Sequence, residues 1–362
     1  MSPRRPGFHH ALVGLACSLA AVLALAEAPC RVAFDMGSSG IRAGHATSSV
    51  TPRVGIDYLA PLWAGDGLEP VVAATINALR NLPEEGRFPE NCDRVGGGFS
   101  AWRLALQQDP GRLTAILAGI EAASGVAILV MPPLQEGAYG YYGARQLLGD
   151  RLKTSHVLDI GGGSLQIAGE RTAYGALLGQ KIWHQQLCQE IRQADAACTL
   201  QPLSEDELAA ARALLAKNLA GVRAALPEKV TLTAISRPVS RGIRPVIERL
   251  EPAERADSTL QGSAISAAIA RVAGQTGAET RALVDGTGAN ASYLLSSLLL
   301  VEGVLAATDG ESLQVAEIDL TNLPGLLADD HAFAWQRHYG CYLARLQTLG
   351  IDAYASDPAT CP

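Results

Sequence analysis

A strand that ends in aspartate, a turn of glycine and serine, and a returning strand occur twice in this chain, and that repetition limits its fold more than any other feature. The first copy is RVAFDMGSSGIRAG, with Asp35 closing its first strand; the second is VLDIGGGSLQIAG, with Asp159 in the same place. Apolar runs mark the strands, and small residues allow a tight reversal. Two similar openings predict an α/β protein of two related lobes whose turns face one cleft. Residues 27–150 make the first lobe on this reading and residues 151–362 the second, with a hinge near residue 150. A chain of 362 residues can bury two cores.

Between the turns the pattern alternates strand and helix. The first half reads as a third strand near Arg53–Leu59, a helix over Glu69–Leu82, the short strand DRVGGGFS, a helix opening at Ala101 and a helix led by Pro110. The apolar strand GVAILVMP and a helix closed by Gly149 follow. The second half adds a polar helical insertion, SEDELAAARALLAKNLAGVRAAL, capped by Ser204 with Glu207 three residues on. Strands at KVTLTAIS and SLQVAEIDL flank a buried helix, ASYLLSSLLLVEGVLAAT.

The turns suit an anion. Gly37 and Gly40 let backbone N–H groups approach a ligand, and Ser38 and Ser39 add hydroxyl donors; Gly161, Gly162, Gly163 and Ser164 repeat the arrangement. Phosphate oxygens need several donors within about 3 Å, which bulky side chains would obstruct. Asp35 and Asp159 can hold a divalent cation directly or through its waters. One such turn is weak evidence, because hairpins use these residues for conformation alone. Two in matched settings point to chemistry.

Charge and cysteine usage narrow the setting. The net charge is −7 with no basic run, which excludes nucleic acid as a partner and requires any polyanionic substrate to meet a local cationic or metal-bearing site. Arg4 and Arg5 precede the apolar run Ala11–Ala26, so residues 1–26 read as a signal peptide cleaved after Ala24-Leu25-Ala26, with Glu27 as the mature start. The run is short for a membrane span, and the mature chain is expected to have none. The product would be periplasmic or secreted. Cys30, Cys92, Cys188, Cys198, Cys341 and Cys361 then remain, an even number for an oxidising compartment. Proximity favours Cys188–Cys198 and Cys341–Cys361, leaving Cys30–Cys92, among the fifteen pairings six cysteines allow. No spacing suggests zinc. The oligomeric state is open, a homodimer included.

With these motifs the chain resembles the acetate kinase–actin–Hsp70 superfamily, and within it the exopolyphosphatase/guanosine-pentaphosphate phosphatase family. DMGSSGIR is similar to the family's first phosphate motif and LDIGGGSLQI to its second. FSAWRLA follows the pattern Ser-Ala-x-Arg-x-x-Ala, whose arginine, here Arg103, contacts phosphate in the family. PPLQEGAYGYYGARQLLG looks closer to the third conserved region of the apyrases or ectonucleotidases, which makes Glu136 the catalytic base. Gln166 is similar to the apyrase glutamine that helps position the water and metal shell. The resemblance implies two ribonuclease H-like, actin-like ATPase lobes around a central cleft. It also implies Mg²⁺ or another divalent cation at Asp35 and Asp159. Phosphate binding falls to Gly37, Ser38, Ser39, Gly40, Arg42, Arg103, Gly161, Gly162, Gly163, Ser164 and Gln166.

The function expected is hydrolysis of phosphoanhydride bonds, with terminal phosphate released from polyphosphate or a nucleoside polyphosphate. An in-line water, oriented and deprotonated by Glu136, would attack a phosphoryl group held by the turns. After KVTLTA the superfamily carries a glycine-rich turn, whereas this chain has ISRPVSRGI; Arg237 and Pro238 obstruct a close backbone approach and disfavour recognition of a nucleotide base. The alternatives are an apyrase-like nucleoside tri- or diphosphatase and a phosphate- or nucleotide-binding protein without turnover. Phosphate release separates the last from the first two.

Overall fold

The computed structural model describes residues 29–362 apart from 195–197, 227–228, 252–257, 285–290 and 319–321. The expected signal peptide lies outside the described residues, as does the end of the expected strand SLQVAEIDL at Asp319 and Leu320.

The first half runs β1 (Arg31–Gly37), β2 (Gly40–His45), β3 (Arg53–Gly55), α1 (Leu59–Trp63), α2 (Glu69–Glu85), β4 (Asp93–Gly98), α3 (Ser100–Gln108), α4 (Pro110–Ser124), β5 (Ala127–Val130) and α5 (Pro133–Leu148). The second continues β6 (His156–Ile160), β7 (Leu165–Gly169), β8 (Ala173–Ala176), α6 (Gln180–Glu190), α7 (Glu205–Asn218), α8 (Val222–Ala225), β9 (Leu232–Ala234) and α9 (Arg244–Leu250). It is completed by β10 (Thr259–Gln261), α10 (Gly262–Ala273), α11 (Gly277–Leu283), α12 (Leu294–Ala307) and β11 (Ser312–Val315). Three helices follow: α13 (Leu323–Ala328), α14 (Asp330–Arg337) and α15 (Tyr339–Leu349).

The echo in the sequence is an echo in topology. The first sheet has the order β3-β2-β1-β4-β5 and the second β10-β11-β9-β6-β7-β8. In each, an antiparallel three-strand meander comes first and two parallel strands extend its inner edge. The second sheet adds only β10 beyond β11. Apolar side chains such as Val32, Phe34, Leu158 and Ile160 are buried in the two cores, as their β-rich runs require.

Local signals act where the sequence places them. Ser204 and Glu207 form a reciprocal capping box at the start of α7, and Gly149 closes α5. The expected third strand is shorter than Arg53–Leu59, because the Asp57 carboxylate accepts from the Leu59 and Ala60 N–H groups and starts α1.

The last helices of the expected second lobe, 151–362, pack away from its sheet. Leu323, Phe333, Trp335 and Tyr342 pack in the core of the first sheet, not the second. The cause is the bare edge of β5. The Tyr342 hydroxyl accepts from the Val130 N–H at 2.7 Å and the Tyr339 hydroxyl donates to the Ile128 carbonyl at 3.0 Å. An uncovered strand edge is a site for unwanted pairing; here α15 satisfies it. Arg31 of β1 also stacks its guanidinium over Phe333 at 4.4 Å.

The disulfides are Cys30–Cys92, Cys188–Cys198 and Cys341–Cys361, the pairing that proximity favoured. Cys30–Cys92 spans the longest stretch, with a sequence separation of 62. It ties the start of β1 to the strand beside it. Its removal in Cys92→Ser is expected to cost about 2–5 kcal/mol, measured by denaturant unfolding. An unchanged midpoint would show that the cross-link is dispensable.

Candidate active site

The geometry of the site follows from where the two meanders turn. Asp35 stands opposite Arg42 across the β1–β2 hairpin, and Asp159 stands opposite Gln166 across β6–β7. The turns beyond them meet face to face. A Cβ on Gly162 would lie 2.3 Å from the Ser38 Oγ, and one on Gly163 would lie 2.6 Å from the Ser100 Oγ. Glycine is required here by approach, not by conformation. Gly179 supports the second turn from below: a Cβ there would sit 2.4 Å from the Ser164 backbone nitrogen. Next to it, Gln180 and Lys181 donate backbone N–H groups to the Gly161 and Gly162 carbonyls.

Between the turns lies a cleft of about 510 Å³. Asp35, Gly37, Ser38, Ser39, Gly40 and Arg42 line it from the first sheet. Asp159, Gly161, Gly162 and Ser164 line it from the second, and Glu136 lines it from α5. Helix α5 bridges the halves. It follows β5 in the chain, yet Gly137 packs on Ala168 of β7 and Pro133 packs on Gly175 of β8. That crossing carries Glu136, in the first helical turn, to the junction of both motifs.

Glu136 is buried and heavily hydrogen-bonded. Its Oε2 accepts from Arg103 Nη2 at 2.6 Å and Gln166 Nε2 at 2.7 Å. Ser164 Oγ is 3.2 Å from Oε1 and 3.3 Å from Oε2. Oε1 therefore keeps the most open lone pairs. The first turn of a helix also favours a carboxylate.

Arg103, expected at the phosphate, is placed differently. It is 3% exposed, absent from the cleft wall, and engaged behind Glu136, with Nη1 donating to the Met131 carbonyl at 2.9 Å. Its two terminal nitrogens are engaged by the carbonyl and the carboxylate, while its buried Nε has no hydrogen-bond partner among the described residues. Gln166 and Gly163 likewise stand behind the wall, the first on Glu136 and the second against Ser100.

The two aspartates carry the electrostatic signature of the site. Burial, and after it the charge of Glu136, pushes Asp35 up to about 7, against the opposing pull of Arg42 and a hydrogen bond from Asn322. Burial pushes Asp159 up to about 7 as well, reinforced by the charges of Glu136 and then Asp35. The charge of Glu136 thus disfavours ionisation of both buried aspartates, a cost that a bound cation would offset. The groups facing the cleft that could ligate a metal are carboxylates, hydroxyls, the Asn322 amide and backbone carbonyls, beside the arginines Arg42, Arg53 and Arg237, with no imidazole or thiolate among the described lining residues. That set fits a hard divalent ion such as Mg²⁺.

Asn322 and Ser236 had no motif to announce them. Asn322 comes from the chain's return to the first sheet and reaches Asp35. Ser236 follows β9 and its hydroxyl accepts from the Ile160 N–H at 3.1 Å. Arg53, Ser100 and Arg237 also line the cleft. Lys181 and Asp57 form an ion pair at 3.7 Å between the halves.

The model of the Ppx/GppA phosphatase family matches residues 112–321. Among solved structures, the Aquifex aeolicus Ppx/GppA family member has a TM-score of 0.62 at 17% identity, over 83% of this chain and 96% of its own. An exopolyphosphatase from Cytophaga hutchinsonii has a TM-score of 0.59 at 15% identity, over 82% of this chain and 96% of its own. No curated protein matches the chain by sequence.

Proposed function

This chain belongs to the Ppx/GppA phosphatase family and is a phosphoanhydride hydrolase, and from that premise we propose that it is exported and releases terminal phosphate from polyphosphate or nucleoside polyphosphates. One observation carries the reading: two Gly/Ser turns from two sheets meet over a cleft, with the Glu136 carboxylate at their junction.

The residues divide the work. Backbone N–H groups and hydroxyls of the turns hold the terminal phosphoryl group, with Arg42 supplying charge. Glu136 presents Oε1 to a water and accepts its proton, while Arg103 and Gln166 fix Oε2 and so set the direction of Oε1. Asp35 and Asp159 would hold a divalent cation, which supplies charge neutralisation to the phosphoryl oxygens. Export is supported by the leader-like residues 1–26 and by three disulfides. No helix among the described residues is long and apolar enough to cross a membrane.

The deciding experiment measures phosphate release by the mature chain from polyphosphate, guanosine pentaphosphate, ATP and ADP, with Mg²⁺ and after chelation. No release from any substrate with metal present would end the hydrolase reading. Release from ATP and ADP far above polyphosphate would make it a nucleotidase.

Metal binding carries its own pH dependence. Asp35 and Asp159 are pushed up to about 7, so without metal their contribution to stability is complete below the ordinary carboxylate range. It is lost as pH rises through about 7. A cation needs both groups ionised, so its affinity rises over the same window and binding releases protons. The expected result is a Mg²⁺-induced rise in melting temperature that is larger at about pH 8 than at about pH 6. A pH-independent rise would place the ion elsewhere.

A further inference from the structure

Asp35 is the inner end of a row of charges. The strand register sets Asp35 opposite Arg42 on β2, and Arg42 opposite Arg53 on β3, so the three side chains stand on one face across adjacent strands. β3 is the outermost strand, and the row therefore runs from the phosphate turn to the rim of the sheet. Arg42 and Arg53 are like charges placed directly opposite each other, which destabilises an antiparallel pair. Arg53 is exposed and has no hydrogen bond or ion pair among the described residues.

Both arginines line the cleft, and Arg237 lines it from the other half, at the start of a π-helical turn, Pro238–Ile243. Such turns are frequent at functional sites. The corresponding row in the second sheet, Asp159, Gln166 and Gly175, carries no cation. Nor is this a generally basic surface, since the net charge is −7. A like-charged pair beside an anion-binding turn makes physical sense if an anion joins it. The only aromatic residue on the described wall, Phe99, is buried, so nothing there offers a face to a base.

We propose that Arg53, with Arg42 beside it and Arg237 on the opposite wall, grips the phosphates on the leaving-group side of the cleaved bond. The site would then select substrates by their run of consecutive phosphates, not by a nucleobase. The inference rests on the proposed function in one respect, that the terminal phosphoryl group sits between the turns.

Two measurements separate the ideas. Tripolyphosphate binding is titrated calorimetrically into Glu136→Gln and into Glu136→Gln with Arg53→Gln. Phosphate release from pyrophosphate, tripolyphosphate and ATP is followed in the wild type and in Arg53→Gln. Loss of one charged contact is expected to weaken tripolyphosphate binding roughly 10-fold and to raise its KM by a similar factor. The proposal puts Arg53 at the second phosphate beyond the cleaved bond, so pyrophosphate, which has only one there, should change by less than about 2-fold. Arg53→Lys should recover part of the loss. Without ligand, Arg53→Gln should melt no lower than its parent, because it removes a repulsion. Unchanged tripolyphosphate binding, equal losses for both phosphate chains, or a wild type that prefers ATP to tripolyphosphate would overturn the subsite. If no substrate is turned over yet binding still depends on Arg53, the subsite stands and the hydrolase reading falls.

Discussion

Glu136→Gln is expected to lower the rate of phosphate release about 10²–10⁴-fold, with the substrate still bound. Glutamine keeps the shape of the side chain and can still accept from Arg103 through its carbonyl oxygen, but it cannot take a proton from water. A second effect accompanies the first. The charge of Glu136 helps to push Asp35 and Asp159 up, so its removal should move the pH midpoint of metal binding downward. Following Mg²⁺ affinity against pH in both proteins tests this without reference to turnover. A variant as active as the wild type would remove Glu136 from the mechanism.

Arg103 gives the largest expected effect on stability. Arg103→Ala leaves the buried Glu136 carboxylate without its partner, and breaking a buried pair from one side typically costs about 3–5 kcal/mol. That is a large part of the stability of most domains. Arg103→Lys keeps the charge but cannot serve both the Met131 carbonyl and Glu136, and should fall between the two. With Arg103 in the positioning role proposed above, kcat should drop and KM should change little. A phosphate contact would instead raise KM and leave the melting temperature unmoved. Combined with Glu136→Gln, the losses should be far from additive, because both variants remove one ion pair.

How much of this could be read from the amino acids depended on range. Asp35, Asp159 and the turns after them were legible because each motif is contiguous and its chemistry is local. The topological repeat was legible for the same reason. Glu136 could be chosen as a candidate base, but not the crossing of α5 that takes it to the junction. Arg103 shows the limit: its pattern marked an arginine at the site, yet whether it faces phosphate or carboxylate depends on where Met131 and Glu136 lie in space. Arg53 needed the register of three strands to be seen beside Arg42. Asn322 and the helices after it belong by sequence to the second half, and only the bare edge of β5 explains why they join the first.

The return of α15 to β5 ties the order of synthesis to the order of assembly. The first sheet is begun by residues 31–37 and sealed by tyrosines some three hundred positions later. Until those tyrosines emerge, the opening half keeps an unsealed border. Under the export proposed above, late completion of the earliest module would be an advantage: the segment that enters a translocation channel first would be the one least able to finish alone.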